Sequence, residues 1–112
     1  MESILNSIKK KLGITEEYTH FDTDIVMAIN TTFMTLNQIG VGPKEGFSIS
    51  SSAERWRDFL GDATNLEAVK TYVYYRVRLE FDPPSQTSHL DAMKRQADEL
   101  EWRLQVQTEL NN

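Results

Sequence analysis

Cysteine is absent from this 112-residue chain. That excludes disulfide staples, thiolate metal centres and a cysteine nucleophile, and it favours a reducing compartment such as the cytoplasm. Histidine occurs only as His20 and His89, in different linkers and outside any HExxH context, so no zinc site is expected. Apolar residues make up 39% of the chain but never form the roughly 18-residue run that a bilayer span requires. The N-terminus has no secretory pattern, so neither export nor membrane insertion is expected. Basic charge is outnumbered: 12 Lys and Arg face 17 Asp and Glu, for a net charge of -5. Such a chain is repelled by phosphate backbones. Its one basic run, Lys9-Lys10-Lys11, is expected to stay solvated at the end of a short helix, where it complements the macrodipole.

Breakers are also few, with 3 prolines and 5 glycines, and this makes the punctuation legible. Ile4, Leu5, Ile8 and Leu12 form one apolar face ending at Gly13, which predicts a first helix of about three turns. After the polar link ITEEYTHFD, Ile25, Ala28, Ile29, Thr32, Phe33, Leu36 and Ile39 keep helical spacing over residues 22–39. GVGPKEG stops that helix, and FSISSS alternates like a short extended segment, so residues 40–52 are expected to form an exposed loop or a small hairpin arm. Ser51 and Glu54 have capping-box spacing ahead of a short helix through ERWRDFL to Gly61.

The stretch YVYYRVRLEFDPP supports two periods. Val73, Tyr75, Val77, Leu79 and Phe81 alternate as in a strand, whereas Leu66, Val69, Val73, Val77 and Phe81 trace a helical stripe. A second capping box, Thr64 with Glu67, and the absence of any breaker before Asp82 decide for helix. Pro83-Pro84 ends it, and Ser88 with Asp91 is expected to cap a last helix whose Leu90, Met93, Ala97, Leu100 and Leu104 recur at three and four. Two long helices joined this closely pack antiparallel. The expectation is one all-α domain over residues 1–112: a small bundle of about five helices, with a C-terminal antiparallel helix hairpin and one non-helical arm at about 40–52.

Chemistry is not visible in this sequence. There is no phosphate-cradling glycine loop and no nucleophile elbow. Asp22 and Asp24 are followed by Ile25, Val26 and Met27, which cannot complete a calcium loop, and one of the two is expected to cap the second helix. Glu16-Glu17 and Glu99 with Glu101 sit in segments that read as exposed, where carboxylates do not acquire catalytic pKa values. No catalytic residue, metal or cofactor is expected, and the chain does not read as an enzyme. A helix-turn-helix around Gly61 is disfavoured because Glu67 stands where phosphate-binding side chains belong and Arg76 and Arg78 come late.

Surface for partners remains. Tyr72, Tyr74 and Tyr75 spread around one helix and Trp102 lies off the Leu100–Leu104 seam, more aromatic surface than one stripe buries. They fit the rim of the core with polar tips in water, and equally a subunit interface. Arg55, Arg57, Arg76 and Arg78 fit solvated faces or carboxylates of a neighbouring copy.

Taken in order, ILNSIKKKLGI, DTDIVMAINTTFMTLNQIGVGP, FSI, WRDFLGD, LEAVKTYVYYRVRLEFDPP and MKRQADELEWRL resemble the head-to-tail connector (adaptor) proteins of tailed bacteriophages of Gram-positive hosts, over about residues 3–106. The resemblance implies a virion structural protein that assembles, after synthesis in the host cytoplasm, as a ring of about twelve copies beneath the portal. The ring prolongs the DNA channel and carries the next connector or tail protein, with DNA only as passing cargo. It also implies contacts through the arm and the last helix. The candidate assembly contacts are Val41, Lys44, Phe47 and Ile49 in the arm, Tyr72, Tyr75, Arg76 and Arg78 on the fourth helix, and Trp102 and Arg103 on the fifth. An acidic chain suits a channel that must not retain phosphates, and a Gly- and Ser-rich arm suits a segment that orders upon assembly. The alternative reading is a monomeric or dimeric helical adaptor docking a cellular protein through the Trp102 face.

Overall fold

The computed structural model describes residues 2–61 and 65–110. These residues form five helices in order: α1 (Ile4–Lys11), α2 (Asp22–Gln38), α3 (Trp56–Leu60), α4 (Leu66–Phe81) and α5 (Thr87–Leu110). Among the described residues there is no strand. A backbone bridge, Ser3 to Arg55, ties the N-terminus to the approach of α3.

The helix ends follow from local chemistry. Ser3 caps α1 by accepting from the Asn6 N–H at 3.2 Å. Gly13, at φ +81, lets the chain reverse so that the N–H groups of Ile14 and Gly13 satisfy the carbonyls of Lys9 and Lys10, at 2.9 and 3.1 Å. Gly40, at φ +92, does the same for α2: Val41 and Gly40 donate to Leu36 and Asn37, at 2.8 and 3.1 Å. Both closures place an apolar residue just past the turn, and Val41 is buried there.

Some expected boundaries shift. The Ser51–Glu54 box forms in part, since the Ser51 N–H donates to Glu54 and the Ala53 N–H to Ser51 Oγ, yet it closes a turn and no helix follows directly. The helix starts at Trp56, where Asp58 accepts from the Arg55 N–H at 2.8 Å. Thr64 of the second expected box lies outside the described residues. Neither Asp22 nor Asp24 caps α2, whose N-cap position is Phe21, and α5 already opens at Thr87, one residue before the expected Ser88 cap.

α4 packs against both α2 and α5 and lies between them. This position explains its double period. A helix buried on one side shows one clean stripe, whereas α4 buries Val69, Val73 and Val77 together with Tyr72, which widens its apolar arc. The hairpin is antiparallel: Asn65 meets Gln107, Tyr72 meets Glu101 and Arg76 meets Asp98. The whole is flat, with extents of 40 × 35 × 19 Å.

An aromatic cluster closes the core beside α2. Phe33 lies 4.4 Å from Phe59 and 5.6 Å from Phe47 between ring centres, and Trp56 is fully buried against it. The Trp56 indole N–H donates to Ser7 Oγ at 2.8 Å, so the one polar atom of that ring is satisfied inside the core.

The lysine run is not uniformly solvated. Lys9 is 1% exposed, and its ammonium donates to the carbonyls of Glu16 (3.1 Å) and Tyr18 (2.8 Å) and pairs with Asp22 at 2.8 Å. All of these partners lie in or just after the α1–α2 link. A polar segment without its own hydrogen-bond ladder needs internal donors, and the one lysine that faces inward supplies them.

Candidate assembly surfaces

The arm of residues 40–52 is neither a free loop nor a hairpin. Two asparagines seven apart on α2 share a face and hold it. The Asn30 side-chain amide donates to the Ile49 carbonyl at 2.9 Å and its oxygen accepts from the Ile49 N–H at 2.8 Å, the pairing a neighbouring strand would give. Asn37 donates to the carbonyls of Pro43 and Lys44 at 3.0 and 3.3 Å. Val41 and Ile49 are buried and Phe47 is half-buried on Phe33 and Phe59, so the arm is part of the core and only Lys44 among its candidates stands in solvent. Gly42 enforces the close approach: at φ +90, a Cβ there would run into the Phe59 ring.

Between α4 and α5 a polar knot forms. Tyr72, expected at the rim or in a subunit interface, is fully buried; its hydroxyl donates to Glu101 at 2.5 Å and accepts from Arg76 Nε at 3.1 Å. The Arg76 guanidinium also reaches Asp98 at 2.9 Å and Glu101 at 3.1 Å. Burial, reinforced by the Glu101 carboxylate and opposed by Arg76, pushes the Tyr72 phenol up to about 12. Burial alone would lower Arg76, but its hydrogen bonds to Tyr72 and Asp98 hold it above the usual guanidinium range. For Arg76, which the sequence left between a solvated face and the carboxylates of a neighbouring copy, the carboxylates are supplied within the subunit, because antiparallel packing brings α5 alongside it.

Arg78 donates to the Tyr74 hydroxyl at 3.1 Å, which raises its pKa, and to the Asp82 carbonyl at 3.2 Å. Lys11 lies over the same Tyr74 ring, 5.8 Å from its centre. Tyr75 is half-buried and lines, with Thr71, Leu100 and Arg103, a groove of about 300 Å³ on the α4–α5 seam. Trp102 is 64% exposed, and the neighbouring Arg103 pairs with Glu99 at 2.7 Å along the helix. Lys44, Trp102 and Arg103 therefore face outward, with Phe47, Tyr75, Arg76 and Arg78 partly covered, and Val41, Ile49 and Tyr72 inside.

Met27 and Met34, 63% and 60% exposed, were not singled out from the sequence. Their signal was present: they sit seven apart, opposite the apolar stripe already assigned to the core of α2. No helix of the described residues is long and apolar enough to cross a membrane, and no group of three or more His, Cys, Asp or Glu among them is placed to hold a metal.

In comparison with known proteins, the profile of the family described as Phage connector protein matches residues 4–111. No curated protein and no solved structure matches.

Proposed function

The chain belongs to the phage connector protein family, whose members are structural components of the head–tail junction, and from that premise we propose that it assembles as a closed ring of about twelve copies beneath the portal. The ring extends the DNA channel and offers a platform to the next connector or tail protein of a phage of a Gram-positive host. The chain acts as one helical connector domain, assembled in the host cytoplasm and retained in the virion. Lys44, Trp102 and Arg103 are its outward contact candidates, with the half-buried Tyr75 in the groove beside Arg103. The family match over nearly the whole chain carries this reading. It is supported by the net charge of -5, which leaves little to hold a sliding phosphate backbone.

Native mass spectrometry of the purified protein, alone and with the portal protein of the same phage, tests it. A closed assembly, or a portal complex of matching stoichiometry, is the expected result. A monomer or dimer that ignores portal overturns the ring and leaves a small helical adaptor in its place.

A further inference from the structure

Two sets of exposed apolar side chains lie on different helices, α2 and α5, on either side of α4. Met27 and Met34 project from α2 directly away from the Ile25–Thr32–Leu36 stripe, and Trp102 projects from α5 directly away from the Ala97–Leu104 seam. α4 lies between the two helices, and each of these faces turns away from the buried side of its own helix. The patches differ in shape and chemistry. Beside Met34 runs a groove of about 400 Å³ lined by Asn30, Phe33, Asn37 and Phe47, with Glu45 on its wall. The other edge presents a flat indole, and thioethers and aromatic rings pack favourably. The charges match too. Glu45 has no ion-pair partner among the described residues, and neither has Arg95, which lies seven residues before Trp102 on the same face of α5.

We propose that the two edges meet in neighbouring copies, Trp102 of one subunit seating in the Met34 groove of the next with Arg95 turned toward Glu45. The proposal rests on the ring reading above and names its junction. Such a contact is heterologous. Each pair formed leaves one free α2 edge and one free α5 edge, so addition continues until the rotation closes. Tryptophan and arginine at the centre of the junction are the residue types that anchor protein interfaces.

The full chain tests this with one variant per edge, Trp102→Glu and Met34→Glu, both at exposed helical positions and each checked for unchanged helicity and melting. Native mass spectrometry is run on the wild type, each variant and their equimolar mixture, with and without portal protein of the same phage. Expected are a ring for the wild type, a monomer for each variant alone, and a 1:1 heterodimer with nothing larger for the mixture, because one intact junction remains there. Adding Glu45→Arg to the Trp102→Glu chain should weaken that heterodimer about tenfold, and Arg95→Glu on its partner should restore it. A wild-type ring with either variant still forming rings, or a mixture that stays monomeric, overturns the junction alone. A wild type that stays monomeric in every condition overturns the ring reading and the junction with it.

Discussion

Replacing Lys9 by Met keeps the aliphatic stem and removes the ammonium, and the structure sets the cost. The ammonium donates to the Glu16 and Tyr18 carbonyls and pairs with Asp22, all within 3.1 Å, at a side chain that is 1% exposed. A hydrogen bond to a charged group contributes about 1.5–3 kcal/mol, and breaking a buried ion pair from one side costs about 3–5 kcal/mol. Asp22 keeps 29% of its side chain in water, but Oδ1, the oxygen that faces the ammonium, is buried and has no other hydrogen-bond partner among the described residues, so the cost does not fall below that range. The expected loss is about 3 kcal/mol, a large share of the roughly 5–15 kcal/mol that holds a domain of this size, with a melting temperature lower by roughly 12 °C. Urea titration followed through tryptophan fluorescence reads it, since Trp56 is fully buried and moves into water on unfolding. The m-value should stay constant, which places the change in stability and not in compactness. Adding Asp22→Asn to Lys9→Met should recover about 1 kcal/mol by neutralising the orphaned carboxylate. A Lys9→Met chain within about 0.5 kcal/mol of wild type would refute the reasoning, because surface substitutions are of that size and the ammonium would then be solvated.

Other outcomes follow from the same contacts. Tyr72 has its folded pKa raised to about 12 from an ordinary 10, so the stability linked to it is fully present below pH 10 and is lost as pH rises through 12. The stability difference between wild type and Tyr72→Phe should therefore shrink by roughly 2 kcal/mol between pH 10 and 12 in urea titrations, and a constant difference would show the phenol is not held neutral. Asn30→Ala removes both hydrogen bonds to Ile49 and should cost about 2 kcal/mol while making residues 43–52 the first site of proteolysis; unchanged cleavage there would mean that Asn30 does not hold the arm. Gly42→Ala meets both a left-handed φ and the Phe59 ring and should lower stability by roughly 2 kcal/mol in thermal melts; a neutral result would mean that the turn relaxes freely.

The helices were legible because their evidence is local. Apolar spacing, the breakers at Gly13, Gly40 and Pro83-Pro84 and the good helical run EAVKTY each act within a few residues, and α1, α2 and α4 end within a residue or so of where those signals place them. The strand-like alternation of YVYYRVRLEF misleads only because α4 is the middle helix and is apolar on more than one side. A single sequence shows the surplus and not the two neighbours that absorb it.

The sites were less legible, since burial depends on partners far away in sequence. Three consecutive lysines are alike as letters; Lys9 differs because its helical phase aims it at carbonyls of residues 16 and 18. Composition marks the Gly- and Ser-rich arm as loose, but Asn30 and Asn37, nineteen and seven residues from the partners they hold, pin it to α2. Tyr72 and Arg76 look like surplus surface until α5 folds back and brings Asp98 and Glu101 within reach. The sequence by itself determined the helices, their order and the acidic, cysteine-free character of the chain, because propensity, periodicity and charge are properties of short segments. Only the tertiary structure decided which of several similar side chains is sealed inside and which is left on the outer edges of α2 and α5, because that choice is made where elements distant in the chain meet.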